Sequence, residues 1–146
     1  MEHDCDIAIV GGGLNGPALA LAAAQVGLRV IVLDATSHKL RKNAKFDGRA
    51  YALALASKRL MAAVGVWENV AQDAEPMLNI RVSDGHAGVG ASPFFMDFDH
   101  AELEEGPMGY MVEDRHLRYA LQAAMQTSPL VEYRLATWVT GQSTGP

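Results

Sequence analysis

Apolar positions fall into two kinds of run along the first third of the chain. Residues 6–10, Asp-Ile-Ala-Ile-Val, and 29–34, Arg-Val-Ile-Val-Leu-Asp, are short, continuous and rich in β-branched side chains. Runs of this length, bounded by glycine or acid, read as buried strands. Between them, residues 17–26 are crowded with Ala and Leu, open on Pro17 and close before Gly27. Proline near the start and glycine just past the end mark a helix. This helix is apolar nearly all round and is expected to be buried, its alanines letting it lie close to a sheet. Strand, glycine turn, helix and strand over residues 5–34 make one βαβ unit with parallel strands and a right-handed crossover.

Beyond it the pattern is less regular. Residues 35–48 are polar, carry Lys39, Arg41, Lys42 and Lys45, and read as a surface loop. A second helix is predicted over about 50–64, with Leu53, Leu60, Met61 and Val64 on one face and Gly65 as its stop. Residues 77–83 read as a strand turning at Asp84-Gly85, 84–107 as hairpins and loops, and 109–113 as extended chain. Asp114 reads as the N-cap of a third helix over about 115–126, whose apolar face is Leu117, Ala120, Leu121, Ala124 and Met125. Residues 130–139 read as one or two strands, and 141–146 as a polar, disordered tail. The fold class is α/β with a Rossmann-like βαβ core, and residues 1–146 form one unit.

Composition narrows the function. The chain has 146 residues, 49% of them hydrophobic and 20% charged, which excludes a disordered or fibrous protein. The net charge of −5 and the lack of a clustered Lys/Arg stripe argue against nucleic-acid binding. Cys5 is the only cysteine, so an internal disulfide and a Cys-based zinc site are excluded, and a cytoplasmic setting fits. No apolar run reaches the roughly 18 residues of a membrane span, and the acidic N-terminus lacks the positive region of a secretory signal.

The chemistry concentrates at the first turn. Gly11, Gly13 and Gly16, with Leu14 and Asn15 between them, match G-x-G-x-x-G. The first glycine allows the tight turn, the second lets backbone approach a pyrophosphate, and the third lets the helix pack on the strand. The helix N-terminus then offers free N–H groups to phosphate oxygens. Asp34 closes the second strand at about the spacing expected of an acid that bonds a ribose hydroxyl. The motif alone does not choose between FAD and NAD, because both carry the ADP half that it grips.

Residues 11–17 (Gly-Gly-Gly-Leu-Asn-Gly-Pro), 47–53 (Asp-Gly-Arg-Ala-Tyr-Ala-Leu), Ser57, Leu60, 65–67 (Gly-Val-Trp) and 109–113 (Gly-Tyr-Met-Val-Glu) resemble the ubiquinone-biosynthesis hydroxylases. These are FAD-dependent aromatic monooxygenases, and the likeness is strongest to the 2-octaprenyl-6-methoxyphenol hydroxylase group. It runs from about residue 5 to 139. It implies a Rossmann-like FAD domain interleaved with a β-rich substrate domain, of which about 77–113 would be part. It implies FAD as cofactor, NAD(P)H as transient co-substrate, and hydroxylation of a prenylated phenol with O2. Carried onto this chain, Gly11, Gly13, Leu14, Asn15 and Gly16 would line the pyrophosphate. Asp34, where the family more often has Glu, would meet the adenosine ribose. Arg49 would lie near the flavin side, Arg115 would be a further FAD contact, and Val139 would hold adenine through its backbone. The resemblance assigns no catalytic residue and no metal. The family's Gly-Asp motif falls beyond position 146, which implies a truncated N-terminal portion, inactive alone and open to self-association through uncovered surfaces. A lipid-soluble substrate also admits peripheral contact with the inner face of a membrane.

Other residues read as structural. Asp47 caps the second helix or orients Arg49. His3, His38, His86, His100 and His116 read as surface residues, and Asp97, Asp99, Glu102, Glu104 and Glu105 as a solvated acidic loop. Trp67, Met108, Met111, Phe94 and Phe95 read as core, with a prenyl pocket the alternative for all but Trp67. Two other functions compete: an NAD-binding dehydrogenase-like domain, and a non-catalytic fragment. The truncated chain is expected to give no ring hydroxylation when assayed pure; substantial turnover would count against that reading.

Overall fold

The computed structural model describes residues 4–37, 45–102 and 105–145. Strand β1 (Ile7–Val10), helix α1 (Asn15–Gln25) and strand β2 (Val30–Leu33) form the first unit. Strand β3 (Ala50–Ala54) runs into helix α2 (Leu55–Ala63), and two 3₁₀ turns lead to β4 (Ala74–Met77), β5 (Asn79–His86) and β6 (Gly90–Asp99). Strand β7 (Gly109–Glu113), helix α3 (Asp114–Thr127) and strand β8 (Val131–Arg134) complete the described elements.

The strands form a parallel sheet in the order β1-β2-β8, an antiparallel sheet in the order β3-β7-β4, and the hairpin β5–β6. Strand β2 is paired on both edges, and Val30 and Val32 are 1% and 0% exposed. Its uninterrupted apolar run follows from that double burial. Helices α1 and α3 pack on this sheet and on each other, with Ala20, Leu21, Ala23, Leu117, Ala120, Leu121 and Met125 in the common core. The alanines of α1 permit that close approach, as expected. Gly27 ends α1 at φ +86°; its N–H reaches Ala24 O and that of Leu28 reaches Ala23 O, the paired bonds of a Schellman stop. Gly65 closes α2 in the same way.

Several expectations are corrected. Residues 50–54 form a strand, not the first turn of a helix: they pair with β7 from Ala50↔Glu113 to Ala54↔Gly109. The alternating burial of Tyr51 and Leu53 carries a period of two that the downstream helical spacing hid. Helix α1 begins at Asn15, so Pro17 sits in its first turn, and its outer side stays wet at Leu19, which is 55% exposed. Leu60 likewise faces outward while Met61 and Val64 are buried. Strand β5 begins after a separate β4 and runs through a bulge at Ser83/Gly85, so the turn falls beyond His86. Asp114 is the first residue of α3 and caps nothing; the N-cap is Glu113. Residues 130–139 supply one strand, β8. Residues 141–145 form no helix or strand, and the loop lysines and arginine at 39, 41 and 42, with His3, His38 and Glu104, lie outside the described residues.

Trp67 is core, set edge-on against Tyr110 at 4.9 Å. Phe94 and Phe95 are not: both are exposed on the β5–β6 hairpin. His116 is no free surface residue; its ring sits 3.2 Å from Asp73 and 3.5 Å from Glu113.

Leu121, 1% exposed, holds α3 in the core shared with α1. Leu121→Ala is expected to lower unfolding free energy by about 2–5 kcal/mol through lost burial and a residual cavity, read as an earlier midpoint in urea.

Candidate functional site

The glycine loop lies at the C-terminal end of β1, where α1 begins. Its closure is set by contact: Gly11 has φ +111°, its N–H bonds Leu33 O at 2.8 Å, and a Cβ on Gly16 would overlap Gly11 O. Helix α1 opens with no side-chain cap on Leu14 and no acid in its first turn. Its first N–H groups and the positive end of its dipole therefore meet no competing carboxylate of their own turn. A cleft of about 600 Å³ sits over this loop, lined by Gly11, Gly13, Leu14, Asn15 and Gly16, by Tyr51, Ala52 and Leu53 of β3, and by Arg118 of α3. A larger cavity of about 740 Å³ lies between the C-terminal half of α1, helix α3 and the segment that follows α2. No glycine-loop residue lines it, so size alone does not mark the site.

Arg118, which lines the cleft, ends a chain of charged groups. Asp47 accepts from Arg49 Nε at 3.0 Å and from its terminal nitrogen at 2.6 Å, so Asp47 orients Arg49. Arg49 also reaches Asp114 Oδ2 at 3.1 Å, and Arg118 Nε stands 3.2 Å from Asp114 Oδ1. Asp114 is 3% exposed. Its Oδ1 and Arg118 Nε are buried, yet neither makes an aligned hydrogen bond. One terminal nitrogen of Arg118 lies 3.8 Å from where a Cβ of Gly13 would stand. A guanidinium whose terminal nitrogen stands over the open face of a glycine loop, while its Nε side lies against Asp114, fits a phosphate.

Asp34 ends β2 beside the loop. Its Oδ1 accepts the Thr36 N–H at 2.9 Å and its Oδ2 the Tyr133 hydroxyl at 2.9 Å. Burial pushes the Asp34 pKa up, but the Thr36 and Tyr133 hydrogen bonds and the Arg118 charge outweigh it and hold it below the ordinary value. Burial and then the Asp34 carboxylate push the Tyr133 hydroxyl up, so it remains a donor.

Of the residues singled out in the sequence, Gly11, Gly13, Leu14, Asn15 and Gly16 line the cleft, and Asp34 lies outside that lining, beside Gly12. Arg49 stands one ion pair away, through Asp114, and is half exposed. Arg115 turns to Glu113 at 2.5 Å and is not among the residues lining the cleft. Val139 is 45% exposed in the segment after β8 and is likewise outside the lining. Gly12, Asp114, Arg118 and Tyr133 were missed. Asp114 and Arg118 carried a legible signal, an acid and a base four apart on one helix. Gly12 was hidden among its neighbours: a Cβ there would overlap Asp34 Oδ2 and lie 2.6 Å from the Tyr133 oxygen. Tyr133 had no local signal at all.

Comparison with known proteins identifies the family and the fold. Residues 4–142 match the FAD binding domain family. The chain is 43% identical over 124 residues to ubiquinone hydroxylase UbiL of Rhodospirillum rubrum, covering 85% of this chain and 28% of that protein. It is 36% identical over 132 residues to 3-demethoxyubiquinol 3-hydroxylase of Escherichia coli, covering 89% and 32%. In fold it resembles p-nitrophenol 4-monooxygenase PnpA of Pseudomonas putida, with a TM-score of 0.66, 19% identity, and coverage of 89% and 31%. The chain thus spans about a third of the length of each.

Because the folded carboxyl of Asp34 titrates lower than the unfolded one, its contribution to stability is complete above the unfolded value of about 3.9 and fades as pH falls through the folded value. The difference in thermal midpoint between the natural chain and Asp34→Asn is expected to be constant near neutrality and to shrink on acidification below about pH 4. A difference that is flat down to pH 2 would contradict this.

Proposed function

The chain belongs to the FAD binding domain family, and from that premise we propose that it grips the ADP half of FAD within an NAD(P)H- and O2-dependent hydroxylase. The substrate we propose is a prenylated phenol of ubiquinone biosynthesis, on the strength of 43% and 36% identity to the two ubiquinone-pathway hydroxylases. A 2-octaprenyl-6-methoxyphenol is the specific form that the sequence resemblance favours.

One observation carries the cofactor reading: the uncapped start of α1, the open face of Gly13 and the Arg118 guanidinium converge on one cleft, with the Asp34 carboxylate at its side. The loop N–H groups and Arg118 would hold the pyrophosphate, and Asp34 the adenosine ribose. Arg49, held by Asp47 and Asp114, would lie toward the flavin end. Bound FAD would supply the redox chemistry, accepting hydride from NAD(P)H and using O2 to hydroxylate the ring. The protein's share is binding, orientation and charge. Among the described residues no helix is long and apolar enough to cross a membrane.

The test is titration of the chain with FAD and, separately, with NAD, following flavin fluorescence and the ligand-induced rise in thermal midpoint. FAD is expected to bind, and NAD to bind more weakly. Gly13→Val is expected to weaken FAD at least about tenfold, or roughly 1.4 kcal/mol, while leaving the unliganded melt nearly unchanged, because the nearest atom to a Cβ there is the mobile tip of Arg118. NAD binding without FAD would support the dehydrogenase-like alternative, and binding of neither would reject the cofactor reading.

A further inference from the structure

Tyr133 belongs to no motif, yet it touches the residue that the glycine motif depends on. Strand β8 lies parallel to β2 with Tyr133 opposite Val32. In a strand, residues two apart share a face, so the Tyr133 side chain lies diagonally against Asp34, two residues beyond Val32. Its hydroxyl donates to Asp34 Oδ2 at 2.9 Å while the Thr36 amide donates to Oδ1 at 2.9 Å. Two donors from different segments fix the carboxylate plane. An ionised carboxylate has about four acceptor positions, so each oxygen keeps one free. The phenol oxygen, having given its proton to Asp34, keeps acceptor capacity of its own. A Cβ on Gly12 would overlap Asp34 Oδ2 and stand 2.6 Å from the Tyr133 oxygen, which puts the pair directly beside the loop proposed to carry the pyrophosphate.

We propose that Tyr133 is a positioning residue for the adenosine ribose: its hydroxyl fixes the Asp34 carboxylate so that the free acceptor positions of the acid meet a ribose 2′-hydroxyl. This rests on the FAD reading of the same site. The groups facing Asp34 among the described residues are Tyr133 from β8, Thr36 from the segment after β2, and the Arg118 charge from α3; the glycine loop contributes backbone alone. Loss of the Tyr133 hydroxyl removes one of the donors that favour the ionised acid.

The experiment uses the full 146-residue chain and its Tyr133→Phe variant, with ADP, 2′-deoxy-ADP and FAD as probes. The natural chain is expected to prefer ADP over 2′-deoxy-ADP by about fivefold to tenfold, the worth of one hydrogen bond. In Tyr133→Phe that preference is expected to fall toward unity, with 2′-deoxy-ADP affinity little changed. The acid limb of ADP binding is expected to move to higher pH. Titration of the Asp34 carboxyl by carbon NMR without nucleotide gives a second readout, and its midpoint is expected to rise in the variant. A variant with unchanged discrimination and an unchanged Asp34 midpoint overturns the proposal while leaving FAD binding intact. A natural chain that binds neither ADP nor FAD overturns the cofactor reading and this proposal together.

Discussion

Strand β2 gives up both of its edges, one to β1 and one to β8, and the rest of the site is built on that double pairing. Hydrogen bonding on each side fixes the height at which β2 ends. Leu33 O receives the Gly11 N–H, and Asp34 N–H reaches Arg134 O, both within 3 Å. The first bond sets where the glycine loop turns; the second sets where the acid leaves the sheet. Val30, Ile31 and Val32 are all buried, so a slip by one residue would draw Arg29 or Asp34 toward the core. Apolar burial and these end hydrogen bonds together hold the loop and its acid in register.

Charge is the second organising element. Asp114 is a buried carboxylate flanked by Arg49 and Arg118. A buried anion is tolerated only when it is paired, and here the pairing ties three segments together: the approach to β3, the start of α3 and the glycine cleft. The backbone repeats the link, since Asp114 N–H donates to Arg49 O at 3.0 Å. With Asp47 on Arg49, two cations and two anions balance one another. Arg118 is the member of the cluster that lines the glycine cleft, where it can meet an anion.

Much of this was legible along the chain. The two apolar strands, the glycine loop, Pro17 in the first turn of α1, Gly27 past its end, and the apolar face of α3 all follow from local rules, because each concerns residues within one or two helical turns of each other. The misplaced start of α2 is a local error of another kind. Leu53 satisfies a helical spacing with Leu60, Met61 and Val64, and only pairing with β7 turns residues 50–54 into a strand. The exposed Phe94 and Phe95 show the same limit: apolar character predicts burial only when another layer covers the face.

Sequence by itself determined that the chain holds a βαβ unit, that a glycine loop opens its helix, and that an acid closes its second strand, because backbone reach, glycine geometry and helix ends are properties of contiguous residues. Tertiary structure alone decided which side chains complete the cleft. Arg118 rather than Arg115 lines it; Arg115, at the start of α3, pairs with Glu113 instead. Tyr133 meets Asp34 across 99 positions of sequence. That meeting depends on strand order and register, which the hydrophobic pattern leaves open until β8 has chosen its partner.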